Sequence, residues 1–189
     1  GHAITLRKLK QFQDLGHQVI FLIGDFTARA GDPTDKSIVR KLLSEKEIKT
    51  NLKLYKKQAS SFIRFSGKNK ALVKFNNDWL GKMKFADVLF LASQMTVDQM
   101  QKRDMFMKRH EEGKPVYIHE FLYPLMQGYD SVAMNVDGEV GGNDQLFNML
   151  AGRTLLKQIK NKEKFVITMK LLADANGKKM SKTEGNMIA

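Results

Sequence analysis

The segment GKKMSKTEGN, Gly177–Asn186, sets Lys178, Lys179 and Lys182 beside Ser181 and Thr183 on a stretch bounded by glycines, with Met180 its one apolar residue. Cations on so free a backbone can close on a polyanion as negative charge grows, or can simply form a solvated loop. Three further segments carry groups able to meet a ligand. In GDFTARAGDP, Gly24 and Gly31 permit sharp turns or close backbone approach, and Asp25 and Asp32 add carboxylates. This segment lacks the Gly-Lys-Ser/Thr of a phosphate-binding loop and the glycine spacing of a dinucleotide fingerprint; a solvated turn is the plain alternative. In YPLMQGYD, Tyr123 and Gln127 stand four apart on one predicted helix face, and Asp130 follows just past the predicted helix end. A phenol, an amide and a carboxylate converging there could read a small polar ligand, or could be ordinary helix-end chemistry. In VGGNDQ, Gly141 and Gly142 precede Asn143 and Asp144 at a predicted helix start. That arrangement suits close backbone approach and a carboxylate for ribose hydroxyls, and equally a plain N-cap.

The elements that must position these groups can be read from periodicity. Ile4, Leu9, Phe12 and Leu15 predict a helix over 1–15, stopped at Gly16. Val19–Ile23 is a continuous apolar run, predicted as a strand covered on both faces. Helical spacing returns over 44–62, and 71–75 reads as a strand. Helices are predicted at 86–92 and 97–108, the second carrying Met100, Met105 and Met107 as core or interface filler. After a break at 113–115 a helix is predicted over 116–127, then a strand at 131–136 turned by Asp137–Gly138. A last long helix opens at 141–144 and runs to about 160, and a strand closes at 165–172. A helix, a buried strand and a polar glycine loop in succession point to an α/β sheet, where ligands sit beyond the carboxyl ends of the strands. No repeat, low-complexity tract or linker interrupts the 189 residues.

Composition narrows the classes. At 42% hydrophobic the chain can bury a core, yet no run of about 18 apolar residues is present to form a transmembrane helix. Cysteine is absent, which rules out disulfides and thiolate metal sites and fits a cytosolic setting. His17, His110 and His119 form no pair at ligand spacing, so no protein-bound metal is expected. The net charge of +12 attracts anions, nucleic acid first among them, or serves as a solubilising surface.

Taken together, the segments carry a resemblance. Gly1–His2 resembles the second half of the His-Ile-Gly-His signature of class I aminoacyl-tRNA synthetases, and Lys179–Thr183, KMSKT, resembles their Lys-Met-Ser-Lys-Ser loop. GDFTARAGDPTDKSIVR, YPLMQGYD and GGNDQ fall in the order and at the spacing of bacterial-type tyrosyl-tRNA synthetases, and the likeness covers essentially the whole chain. It implies a Rossmann-like doubly wound parallel sheet over 1–189 with a helical connective insertion at about 77–130 that usually serves dimerisation. It implies a cytoplasmic ligase that joins L-tyrosine and ATP, the latter with Mg2+, into tyrosyl-adenylate and then charges tRNA(Tyr). Site residues follow from the same resemblance. Asp32, Tyr123 and Gln127 would hold the tyrosine ammonium, Asp130 the phenolic hydroxyl, and Gln145 the substrate carboxylate. Gly1, His2 and Thr5 would meet ATP, His2 steadying the reacting phosphate, and Gly142 and Asp144 would face the ribose. Lys36, Arg40, Lys179 and Lys182 would close on the pyrophosphate. Asn143 stands where the family pattern has Ser, Leu146 where Trp is common, and Thr183 in place of the loop's final Ser. The resemblance also implies a fragment: a first strand before Gly1 and an anticodon-recognition domain after Ala189 belong to the family pattern. Two other readings compete, a tryptophanyl-type relative and a non-catalytic RNA-binding module. Three carboxylates, Asp32, Asp130 and Asp144, argue against the second, and the Tyr123–Gln127–Asp130 set against the first.

Overall fold

A computed structural model of the chain describes residues 2–30, 47 and 54–170. Four strands alternate with helices: α1 His2–Asp14, β1 Ile20–Ile23, α2 Thr27–Ala30, β2 Leu72–Phe75, α3 Asn77–Leu80, α4 Phe85–Ala92, α5 Val97–Gln101, α6 Asp104–Glu111, α7 Ile118–Met134, β3 Gly138–Gly142, α8 Leu146–Lys160 and β4 Phe165–Met169. A short 3-10 turn, Asn143–Gln145, leads into α8. Both strand pairs are parallel, β1 with β2 (Ile20 opposite Leu72) and β3 with β4 (Gly138 opposite Phe165). The predicted parallel α/β arrangement is therefore present, and among the described residues the strands pair two by two. Parallel neighbours need a crossover, which here is supplied by helix on both occasions.

Two apolar clusters anchor these layers. Val19, Ile63 and Ala71 pack with Leu6, Leu9, Phe12 and Phe21, fixing α1 against the β1–β2 pair. Gln13, buried on α1, donates to the carbonyls of Arg64 and Asn69 at 2.9 Å each and accepts from the Arg64 amide, so the approach to β2 is tied to the same helix. The second cluster, Leu91, Met100, Leu125, Val132, Leu155 and Leu156, lies where α4, α5, α7 and α8 meet. Met100 is core filler, as its spacing predicts, while Met107 is exposed.

The crossing of α7 and α8 is close because both helices offer a glycine. A Cβ on Gly128 would meet Leu155 Cδ1 at 2.9 Å and the Gly152 amide nitrogen at 3.0 Å. Such approaches are tighter than almost all real Cβ contacts in a core packed at crystal-like density.

Three boundaries differ from the sequence reading. The helix expected over 97–108 breaks at Lys102–Arg103 into α5 and α6. Thr96 and Gln99 form a capping box that starts α5, the Gln99 amide donating to Thr96 Oγ1 and the Thr96 amide to Gln99 Oε1. The strand expected at 131–136 is instead the last turn of α7, which continues to Met134 and stops at Asn135 with φ +52°. Leu125, Gly128 and Val132 bury one helical stripe, and a short Val-Ala-Met-Asn-Val run fits both periods until that stripe is packed. Consequently β3 begins at Gly138, where a turn was expected, and Asp130 lies inside the helix and not past its end.

Candidate functional site

Parallel strands deliver their loops to one edge, and the polar groups gather there. Between β1 and β3 opens a cavity of about 1100 Å³. Leu6, Leu9 and Phe12 of α1 line it, and from α7 so do Gln127, Asp130 and Ser131. Thr5, Gly142 and Gln145 also reach its wall. Of the residues singled out in the sequence, the cavity thus joins Thr5, Gln127, Asp130, Gly142 and Gln145. Tyr123 and Asp144, both half-buried, are not among its lining residues. The backbone of His2 starts α1. Gly1, Asp32, Lys36, Arg40, Lys179 and Lys182 lie outside the described residues, as do the rest of the lysine loop and residues 44–46 and 48–53 of the helix expected over 44–62.

Asp130 is the most constrained group on the wall. It is 4% exposed, and each carboxylate oxygen accepts a hydrogen bond: Oδ1 from Trp79 Nε1 at 2.8 Å, Oδ2 from Asn76 Nδ2 at 3.3 Å. Burial pushes its pKa from the ordinary 3.8 up to about 7, opposed by these two donors and assisted by the charges of Glu139 and Asp25. The group thus changes charge near neutral pH while both oxygens keep a donor.

The Asn76 amide is itself fixed. Its Nδ2 also donates to Thr27 Oγ1 at 3.1 Å, and its Oδ1 accepts from the Phe26 amide at 2.9 Å. Asp25 accepts from the Asn77 amide at 2.9 Å, just where α3 begins. The loop after β1 and the segment after β2 are therefore stitched together at the strand ends, and Asp25 serves that stitch. Asn76 and Trp79 escaped the sequence reading; the signal that could have found them is a polar Asn-Asn-Asp beside the chain's single tryptophan, directly after a predicted strand.

A second amide organises the opposite side. Asn148, fully buried on α8, donates through Nδ2 to Gln127 Oε1 and Gln145 Oε1, both at 2.9 Å. Two glutamines from different elements are thereby held at one point of the wall. Among the described residues no cluster of three His, Asp or Glu could hold a metal ion.

A parallel α/β domain whose strand ends frame a cavity lined by a carboxylate and paired amides is of the ligand-binding α/β class. The chain belongs to the family described as tRNA synthetases class I (W and Y), whose model matches residues 1–189. It is 51% identical over its full length to a tyrosine–tRNA ligase of Carboxydothermus hydrogenoformans, covering 45% of that protein, and 49% identical to one of Thermotoga maritima, covering 47%. The chain thus spans about half the length of the curated relatives it matches. Its fold superposes on a C-terminally truncated mitochondrial tyrosyl-tRNA synthetase of Aspergillus nidulans with a TM-score of 0.77 at 25% identity, covering 96% of this chain and 59% of the other.

Proposed function

We propose that this chain is the part of a tyrosine–tRNA ligase that activates L-tyrosine with ATP, and that tyrosine is selected by Asp130. The observation that carries this reading is the buried Asp130 carboxylate on the cavity wall, held by Trp79 and Asn76. Such a group can accept a further hydrogen bond from a phenolic hydroxyl, which a substrate lacking that hydroxyl does not supply. Gln127 and Gln145, fixed by Asn148, would orient the amino acid's ammonium and carboxylate, with Tyr123 and Asp32 completing the ammonium site.

In the reaction the tyrosine carboxylate attacks the α-phosphorus of ATP, a mixed anhydride forms, and pyrophosphate leaves. No protein nucleophile is needed. The work is alignment and the placing of cations where charge accumulates. His2 and Thr5 would meet the phosphates, Gly142 and Asp144 the ribose, and Lys36, Arg40, Lys179 and Lys182 the departing pyrophosphate. Mg2+ would come with ATP as part of the substrate, held by phosphates and water. The tyrosyl group would then pass to a tRNA drawn in by the chain's net positive charge of +12.

The helices between the two strand pairs would form the connective unit and seat a second copy of the chain in the cytoplasm. Phe85, Leu89 and Phe90 on α4, Val97 on α5 and Ile118 at the start of α7 are all exposed, Ile118 at 82%. Large apolar side chains left in water on successive helices favour a protein partner. No helix among the described residues is long and apolar enough to cross a membrane.

The test is thermal stabilisation by tyrosine against tryptophan, each with ATP and magnesium. Tyrosine should raise Tm more; tryptophan doing so would transfer the chain to the other specificity of its family.

A further inference from the structure

We propose that Lys164 and Glu139 form a buried positioning pair that holds the cavity-facing end of α7 and keeps Asp130 able to accept a hydrogen bond from the substrate. The inference rests on the reading that Asp130 contacts the amino-acid ring.

Lys164 precedes β4 and its side chain is fully buried. Its Nζ donates to Glu139 Oε2 at 2.5 Å and to Ser131 Oγ at 2.8 Å. The Ser131 hydroxyl in turn donates to Glu139 Oε2 at 3.2 Å. The three groups close a ring that joins β4, β3 and α7, one residue from Asp130. Space for the ammonium comes from α8: a Cβ on Gly152 would meet Lys164 Nζ at 2.8 Å and Ser131 Oγ at 3.0 Å. A buried ammonium is retained only when paired and hydrogen-bonded, as this one is.

Packing alone would be served by an apolar side chain. The charge has a second consequence, because Glu139 and Ser131 line the same cavity as Asp130. A charged carboxylate beside another opposes its ionisation. Glu139 does raise the Asp130 pKa, as does Asp25 at the end of β1. Asp137, Tyr55 and His17 also border the cavity, and from the β2–α3 side Asp130 meets only the neutral donors Asn76 and Trp79 among its hydrogen-bond partners. Lys164 sits behind Glu139 as its counter-cation. Without it, Glu139 would bear an uncompensated charge beside Asp130.

The test uses a probe already in the molecule. The single tryptophan, Trp79, donates to Asp130, so its fluorescence reports the ionisation of that carboxyl without any ligand. We compare the parent chain, Lys164→Gln and the neutral pair Lys164→Gln/Glu139→Gln. In Lys164→Gln the midpoint of the fluorescence titration should move up by about one pH unit. In the double variant it should return to the parent value or fall below it. Equal midpoints in all three proteins would reduce the pair to packing and overturn the proposal. If Lys164→Gln does not fold, the double variant decides alone, since a midpoint above the parent's would also overturn it. Tyrosine affinity supplies the separate arm: Lys164→Gln should bind about tenfold more weakly at neutral pH and recover as pH rises. If the fluorescence midpoints shift but tyrosine binds none of the proteins, the tyrosine reading fails and the electrostatic pairing stands.

Discussion

Replacing Asp130 by Asn removes a charge and leaves the shape. In the parent, the carboxyl titrates at about 7 in the folded chain against an ordinary 3.8, a gap of about 3 pH units. At ~1.4 kcal/mol per pH unit this amounts to about 4 kcal/mol. The sign follows from proton uptake. Between the two values the folded chain holds a proton on Asp130 that the unfolded chain has released, so folding stability falls as pH rises through this window. Below it the carboxyl is protonated in both states and the penalty vanishes. An asparagine has no such dependence. It does lose one bond, because its NH2 meets the Asn76 donor, and Asn76 cannot turn without giving up the Phe26 amide. That loss, about 1 kcal/mol, is the same at every pH. Urea unfolding of parent and Asp130→Asn across the range from about pH 4 to about pH 8 should therefore show the variant gaining up to about 4 kcal/mol on the parent towards alkaline pH. A constant difference would refute the claim that burial sets this group's charge. The same variant should bind tyrosine poorly throughout, because an amide in this position presents a donor as readily as an acceptor.

Trp79→Phe removes the donor on Asp130 Oδ1, and calorimetry should find tyrosine binding weakened about tenfold, with the loss greatest below neutral pH. Gly128→Ala forces a methyl against Leu155 and the Gly152 backbone; urea unfolding should show a loss of about 2 kcal/mol without any change in the pH dependence of stability. The Glu120 carboxylate accepts twice from the Arg109 guanidinium and once from the Tyr117 amide. Burial alone would raise its pKa, but Arg109 and the Tyr117 amide bring it below the ordinary 4.5, so Glu120→Gln should cost about 2 kcal/mol above that pH and progressively less as pH falls through it. Lys179→Ala should slow pyrophosphate exchange about a hundredfold with tyrosine affinity nearly unchanged, since a cation on the leaving group acts in the transition state; a large loss of tyrosine affinity would contradict that role.

Much of this molecule is decided locally, and so the sequence alone determines it. The apolar run before Gly24 reads as a strand, and the structure has one there, half-buried along most of its length rather than covered on both faces; Asp130 can be picked out because it closes a segment that also carries Tyr123 and Gln127. The family signatures are local too. What tertiary structure decided is whatever depends on partners distant in sequence. Whether Ser131–Met134 is strand or helix hinged on the burial of Val132 and Gly128 against α8, a contact no local period records. The charge state of Asp130 hinged on its burial and on Asn76 and Trp79, about fifty residues away, which donate to it. Lys164 reads in sequence as one more solvated cation in Lys-Glu-Lys, and only the convergence of β3, β4, α7 and α8 buries it. Desolvation belongs to a place in the fold and not to a residue type, so composition and spacing could name the acidic group but not the pH at which it works.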